Sequence, residues 1–222
     1  MVFAQHGVSL YVELPTVFLA AFFGAAYFSA HHVNAVGVIG VGLLVGLGGG
    51  IWRDIVLNIE PAAFQYWYFI PIALAGGLLG GLLRNRGEGW WVVIHMRTYV
   101  TALLLLIGLE KAYQYDNPIL SVVAIGILTA AAGTITASLL MKNDLFHHNG
   151  GPYLMGCLLL ASAVFLAVAA TGWIVGAEVL TVLVFTAARI VGERRGWTVP
   201  QLPWETPRQT DAPSASGSAP AS

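Results

Sequence analysis

The sequence contains seven apolar runs, each close to the length that a helix needs to cross a lipid bilayer, about 20 residues. They cover approximately residues 14–30, 33–58, 66–83, 91–108, 118–141, 153–170 and 173–191. Charged residues make up only 9% of the chain, whereas soluble domains carry about 25%. A surface with so few charges is suited to lipid. We therefore predict an all-α polytopic membrane protein with seven transmembrane helices.

An internal repeat relates the second apolar run to the fifth. A shift of 84 positions lays Gly49 over Gly133 and Asp54 over Ser138. Each repeat unit then contains three spans, so the second copy must be inverted in the membrane relative to the first. The domains that we predict are a first three-helix repeat (12–86), an inverted second repeat (90–171), a seventh transmembrane helix (172–195) and a disordered cytoplasmic tail (196–222).

The orientation follows from the placement of basic residues, which favour the cytoplasmic ends of spans. If the N-terminus is outside, the inside segments hold most of the Lys and Arg near span ends, and the outside segments hold Lys111 alone. The inside residues are Arg84, Arg86, Lys142, Arg194 and Arg195. We therefore expect the C-terminus to be cytoplasmic.

Three successive glycines, Gly48, Gly49 and Gly50, interrupt the second span. Each costs a helix about 1 kcal/mol relative to Ala, and inverted-repeat membrane proteins often have broken helices at central sites. The pattern predicts an unwound segment whose carbonyls replace part of an ion's hydration shell. At corresponding depth in the fifth span, Gly133 precedes two hydroxyl residues of the predicted ion site. These are Thr134 and Ser138.

Arg53 and Asp54 are adjacent opposite charges inside a predicted span. Charges in lipid are costly, so they face the bundle interior and form pairs. Two interpretations stay open: Asp54 attracts cations while Arg53 tunes the field, or the two residues form a structural salt bridge at the helix break. For Arg97, a contact with lipid headgroups and a role in a pore are both compatible with the sequence.

Several classes of function are disfavoured. The net charge of −1 and the lack of a basic run argue against a nucleic-acid partner. The single cysteine, Cys157, excludes disulfide frameworks and cysteine-rich metal sites. The sequence contains no H-E-x-x-H, G-x-S-x-G or phosphate-loop pattern. We expect no enzymatic activity, no cofactor and no bound catalytic metal.

The segment Gly48-Gly49-Gly50-Ile51-Trp52-Arg53-Asp54, in the second of seven spans, resembles the prokaryotic trimeric intracellular cation (TRIC) channel family. The resemblance covers about residues 12 to 195. It implies a homotrimer in the prokaryotic inner membrane, with a pore for monovalent cations inside each protomer and membrane lipids between helices. It also implies that the second and fifth helices are broken and line the pore. The second copy departs from the pattern, because Ala137-Ser138 replaces the Arg-Asp pair.

The function that we predict is a K⁺ and Na⁺ channel whose pore residues are Gly48, Gly49, Gly50, Arg53, Asp54, Gly133, Thr134 and Ser138. The alternative is a secondary transporter of a small zwitterion such as glycine, since inverted repeats with broken helices are also a carrier plan. In that alternative, Arg53 pairs with the substrate carboxylate.

Overall fold

The computed structural model describes residues 10–29, 34–83, 91–141 and 151–195. These residues form eight helices and no strand. The helices are α1 (Leu10–Ser29), α2 (Ala35–Val56), α3 (Ala62–Gln65), α4 (Phe69–Leu82), α5 (Trp91–Gln114), α6 (Ile119–Met141), α7 (Gly151–Ala169) and α8 (Ile174–Arg195). The seven long helices correspond to the seven predicted spans, and α3 is a single turn that precedes the third. The all-α polytopic prediction is confirmed.

Three of these helices are long and apolar enough to cross a membrane by length and composition alone, and they lie in α2, α6 and α8. Shorter apolar helices of 10–17 residues occur within α1, α4 and α7. Among the described residues, the side chains exposed on α4, α6 and α8 include many large apolar ones. Such faces are suited to lipid or to another subunit.

Local chemistry explains where the helices begin and end. Asn34 caps α2, because its side-chain oxygen accepts a hydrogen bond from the backbone N–H of Gly37 at 2.7 Å. Asn58, two residues after α2, has φ of 55°, and Asp116, after α5, has φ of 52°. Residues in this left-handed region stop a helix. Pro118 directly precedes α6, at the start of the apolar run predicted over 118–141.

The fourth predicted span is longer than expected. The sequence placed Glu110 and Lys111 after its end, but α5 continues to Gln114 and includes both. The prediction was wrong because the two charges do not face lipid. Glu110 is buried, and Lys111 pairs with Asp54 of α2.

The helices pack through small residues. Within the first half, α1 packs against α2 and α4, and in the second half α5 packs against α6, while α2 and α6 join the halves. Gly76 and Gly80 of α4 lie directly against the backbone of α1, where a Cβ on either would collide with a carbonyl oxygen. The small-residue face of α4 therefore serves contacts inside the protomer.

Some predictions concern residues beyond those described. The tail 196–222 and the basic residues Arg84, Arg86 and Lys142, used above for the orientation, lie outside the described residues. The boundaries of the two repeats and of the seventh helix remain predictions.

Candidate functional site

A network of four charges lies where α2 ends. Arg53 donates from Nε to Asp54 Oδ1 at 2.7 Å, and Lys111 Nζ lies 3.0 Å from the same oxygen. Arg53 Nη2 lies 3.3 Å from Glu13 Oε1. The other carboxylate oxygen of Asp54 accepts the backbone N–H of Ala62 at 3.0 Å. The network therefore connects α1, α2, α3 and α5 at one end of the bundle, which we call the Asp54 end.

The central Arg53-Asp54 pair of this network is buried. Arg53 and Asp54 are each 1% exposed, so neither charge is solvated by water. Two positive and two negative groups alternate along the chain of contacts from Glu13 to Lys111, and formal charges cancel. Of the two interpretations of the Arg53-Asp54 pair, the arrangement favours the structural one, because Asp54 already has three partners in the protein.

The predicted break in the second span is absent. α2 is one continuous α-helix from Ala35 to Val56, and α6 is continuous from Ile119 to Met141. Gly48 and Gly49 are buried against α6 rather than unwound. The prediction was wrong because these glycines serve close packing of two helices. Their missing side chains let two helix backbones touch.

The contact between α2 and α6 is reciprocal. A Cβ on Gly49 would collide with the carbonyl oxygen of Thr129, and a Cβ on Gly133 would lie 2.7 Å from that of Val45. A shift of 84 positions converts Gly49 into Gly133 and Val45 into Thr129. Such an exchange of partners is the pattern that a twofold axis produces at an interface. The crossing thus has the geometry expected of an inverted repeat.

Two cavities lie on either side of this crossing. The larger, of about 90 Å³, is bounded by residues of α1, α2, α5, α6, α7 and α8, with Arg97 and Arg189 among them. The smaller, of about 30 Å³, lies at the Asp54 end and is bounded by Glu13, Arg53 and Asp54 together with apolar residues. Leu104 of α5 contacts both cavities. We call the end that contains the larger cavity the Arg97 end.

The cavities are images of each other under the repeat. Nine of the residues that line the smaller cavity have their counterpart, 84 positions away, in the lining of the larger one. The counterparts are Ala20, Phe23, Val45, Arg97, Val100, Thr101, Ala130, Ala131 and Thr134. Both cavities are therefore lined by residues of α1, α2, α5 and α6, and Leu104 lines both of them.

The predicted site residues separate into groups. Gly50, Arg53 and Asp54 line the smaller cavity, and Thr134 lines the larger. Gly48, Gly49 and Gly133 form the crossing between them. Ser138 lines neither cavity, and its hydroxyl donates to the carbonyl oxygen of Thr134 at 2.8 Å.

Sequence reasoning missed the importance of Glu13 and Lys111 and left Arg97 undecided. Glu13 and Lys111 complete the charge network, and Arg97 lines the larger cavity. A signal for two of them was available, since the shift of 84 lays Glu13 over Arg97. Lys111 had no comparable signal, because only the tertiary packing of α5 on α2 brings it to Asp54.

Comparison with solved structures decides the fold. A structure described as giving the basis for conductance through TRIC cation channels matches with a TM-score of 0.74 and 19% identity, over 90% of this chain and 100% of that one. The TRIC trimeric intracellular cation channel orthologue from Rhodobacter sphaeroides matches with a TM-score of 0.74 and 20% identity, over 85% and 98%. The chain has the TRIC fold. The resemblance seen in the sequence is thus confirmed for the path of the backbone.

Other relatives of this TRIC-fold chain match over shorter stretches. A family model described as "Glycine transporter" matches residues 10–85, which contain α1 to α4. A UPF0126 membrane protein of Streptomyces coelicolor is 47% identical over 45 residues, covering 20% of this chain and 21% of that protein. One of Vibrio cholerae is 25% identical over 127 residues, covering 55% and 53%. The chain therefore spans about a fifth and about half of the lengths of these curated relatives. Both are membrane proteins by name.

Proposed function

We propose that this chain is a channel for monovalent cations, K⁺ and Na⁺ among them, with one permeation path inside each protomer. The observation that carries the proposal is the pair of symmetry-related cavities, which share the same four helices and meet near Leu104. Because Leu104 lines both cavities, a displacement of the helices that moves Leu104 aside would join them into one path. The TRIC fold supports the same interpretation.

The groups available to a cation along this path are mostly neutral. The larger cavity contains the hydroxyl residues Thr101 and Thr134, and the smaller one is bounded by the backbone of Gly46 and Gly50. Carbonyl and hydroxyl oxygens replace part of the hydration shell of a monovalent ion, whereas divalent ions favour several carboxylates. Leu104 makes the middle of the path apolar, so conduction requires this point to widen and fill with water.

The charge network has a supporting role in this proposal. Because Asp54 is bound by Arg53, Lys111 and the N–H of Ala62, it contributes little net field. It holds four helices in register at one mouth of the path. The glycine crossing likewise determines how closely α2 and α6 approach each other. In this proposal the glycines act through helix packing and not through an unwound segment that binds the ion.

The remaining features of the proposal concern the assembly. We infer a homotrimer in a prokaryotic inner membrane, by analogy with the trimeric TRIC channel of Rhodobacter sphaeroides. The N-terminus is outside and the C-terminus cytoplasmic, which makes the Arg97 end cytoplasmic. Lipids cover the exposed apolar faces, and no reaction is catalysed.

Planar-bilayer recording of the purified full-length chain tests the function. We expect discrete current steps in KCl. Under a KCl gradient, the reversal potential of these currents should be close to the equilibrium potential of K⁺. Current steps that reverse at the chloride potential would contradict cation selectivity. An absence of steps in preparations that retain the folded trimer would contradict the channel.

A secondary transporter is the second candidate, and one observation favours it. Arg97 and Arg189 line one cavity of about 90 Å³, and two guanidinium groups are suited to a carboxylate. The family description "Glycine transporter" points in the same direction. Arg53, the substrate ligand of the sequence-based alternative, is buried against Asp54 and Glu13, so Arg97 replaces it as the candidate. Counterflow of labelled glycine without current steps would favour this carrier.

A further inference from the structure

The two mouths of the path carry different charges although their backbones are related by the repeat. Glu13 lines the smaller cavity, and its counterpart 84 positions later, Arg97, lines the larger one. The repeat has therefore placed opposite charges at equivalent points. This difference makes the two ends of the path electrostatically different, although their backbones are equivalent.

At the Asp54 end the charge of Glu13 is compensated. Arg53 lies 3.3 Å from Glu13, and the further pair of Asp54 and Lys111 leaves the network neutral. A cation at this mouth therefore meets no net repulsion from these four groups.

At the Arg97 end the described residues compensate the positive charge only in part. The counterparts of Arg53 and Asp54 are Ala137 and Ser138, so the repeat supplies no carboxylate for Arg97. Arg189 adds a second positive charge to the same cavity, and its Nε is bound by Glu193 at 3.0 Å. Within the described part of the chain, these three groups leave one net positive charge at this mouth.

We propose that Arg97 makes the cation current direction-dependent, so that cations pass more readily from the Asp54 end to the Arg97 end than in reverse. This inference rests on the proposed channel function. A fixed positive charge lowers the local cation concentration at the mouth it faces, and cations arriving from that side are fewer. A unit charge about 10 Å from a cation in water already changes its concentration about twofold. In 0.1 M KCl the screening length is also about 10 Å, and the change falls to about 1.3-fold. We therefore expect open-channel currents at opposite voltages in 0.1 M KCl to differ by at least about 1.3-fold.

The experiment measures open single-channel current at equal positive and negative voltages in symmetrical KCl. Patches excised from cells that express the full-length chain keep the orientation of the protein fixed. We expect larger current for cations that move toward the cytoplasm. Raising KCl from 0.1 M to 1 M shortens the screening length from about 10 Å to about 3 Å, and the asymmetry should then largely disappear.

Substitutions separate the charge of Arg97 from its packing. Arg97→Gln should make the currents symmetrical, Arg97→Glu should reverse the asymmetry, and Arg97→Lys should retain it. Arg194→Gln is the matched control, because Arg194 is exposed near the end of α8 and lines neither cavity. It should leave the asymmetry unchanged.

The outcomes distinguish this inference from the channel proposal. Cation currents that are symmetrical in the unmodified protein, or whose asymmetry survives in both Arg97→Gln and 1 M KCl, would overturn the role of Arg97 and leave the channel intact. A folded protein without any current would overturn both proposals.

Discussion

Neutralising Asp54 should destabilise the protein far more than neutralising Lys111, although the two residues form one ion pair. In Asp54→Asn, the buried Arg53 loses its nearest carboxylate and keeps only Glu13, at 3.3 Å. Removing one partner of a buried ion pair costs about 3–5 kcal/mol. For a chain of this length, 1 kcal/mol corresponds to about 2–4 °C in melting temperature. The expected decrease in melting temperature is therefore roughly 6–20 °C.

Lys111→Gln is the informative comparison. The Lys111 side chain is 27% exposed, so water replaces much of what it loses, and Asp54 retains Arg53 and the N–H of Ala62. A partly exposed ion pair contributes about 1 kcal/mol or less. Arg194→Gln, which removes an exposed charge near the end of α8 and outside the network, serves as a control.

The assay is thermal unfolding of the purified protein in a mild detergent, followed by tryptophan fluorescence and by recovery of the folded peak in size-exclusion chromatography. The expected order of melting temperatures places Asp54→Asn well below Lys111→Gln, with Lys111→Gln close to Arg194→Gln. Equal shifts for Asp54→Asn and Lys111→Gln would refute the argument that burial of Arg53 dominates the network.

Three further substitutions test the crossing and the path. Gly49→Ala places a methyl group against the backbone of α6 and should lower the free energy of unfolding by about 1–3 kcal/mol, which a lower melting temperature would show. In the control Gly40→Ala, the added methyl group has nothing within 4 Å, so this variant should be neutral or stabilising. Leu104→Ser should increase basal K⁺ flux from proteoliposomes because it makes the middle of the path polar, and Leu183→Ser, on an exposed face, should not. Thr134→Val should lower single-channel conductance by up to about fivefold, equivalent to one net hydrogen bond of about 1 kcal/mol.

These three results would each be contradicted in a different way. A Gly49→Ala protein as stable as Gly40→Ala would mean that α2 and α6 do not touch at the backbone. Unchanged flux in Leu104→Ser would mean that Leu104 is not at the narrowest point of the path. Unchanged conductance in Thr134→Val would remove its hydroxyl from the list of ion ligands.

The sequence predicted the elements and the symmetry better than the site. Runs of apolar residues determine which segments enter the membrane, and a shift of 84 residues was enough to pair Gly49 with Gly133. The same glycines were misread as a break, because a glycine run is compatible with both unwinding and close packing. Which of the two occurs depends on whether another backbone lies opposite, here the carbonyl oxygen of Thr129, and a single sequence does not specify that neighbour.

The charge network shows the same limit. Arg53 and Asp54 were recognisable as a pair because they are adjacent in the chain. Glu13 and Lys111 lie 40 and 57 positions from their partners, and only the packing of α1 and α5 around α2 brings them together. The length of α5 was underestimated for this reason, since a lysine that pairs inside the bundle does not end a membrane helix.

The crossing of α2 and α6 has a mechanical consequence. The two helices meet through Cα atoms and carbonyl oxygens at Gly48, Gly49 and Gly133, and a hydrogen bond from Trp52 Nε1 to Thr136 Oγ1 joins them further along. A backbone contact of this kind prevents the two helices from moving closer together. It opposes their rotation about the contact point less. The charge network holds the helices together at the Asp54 end. A rotation about the crossing therefore displaces the helix ends at the Arg97 end most.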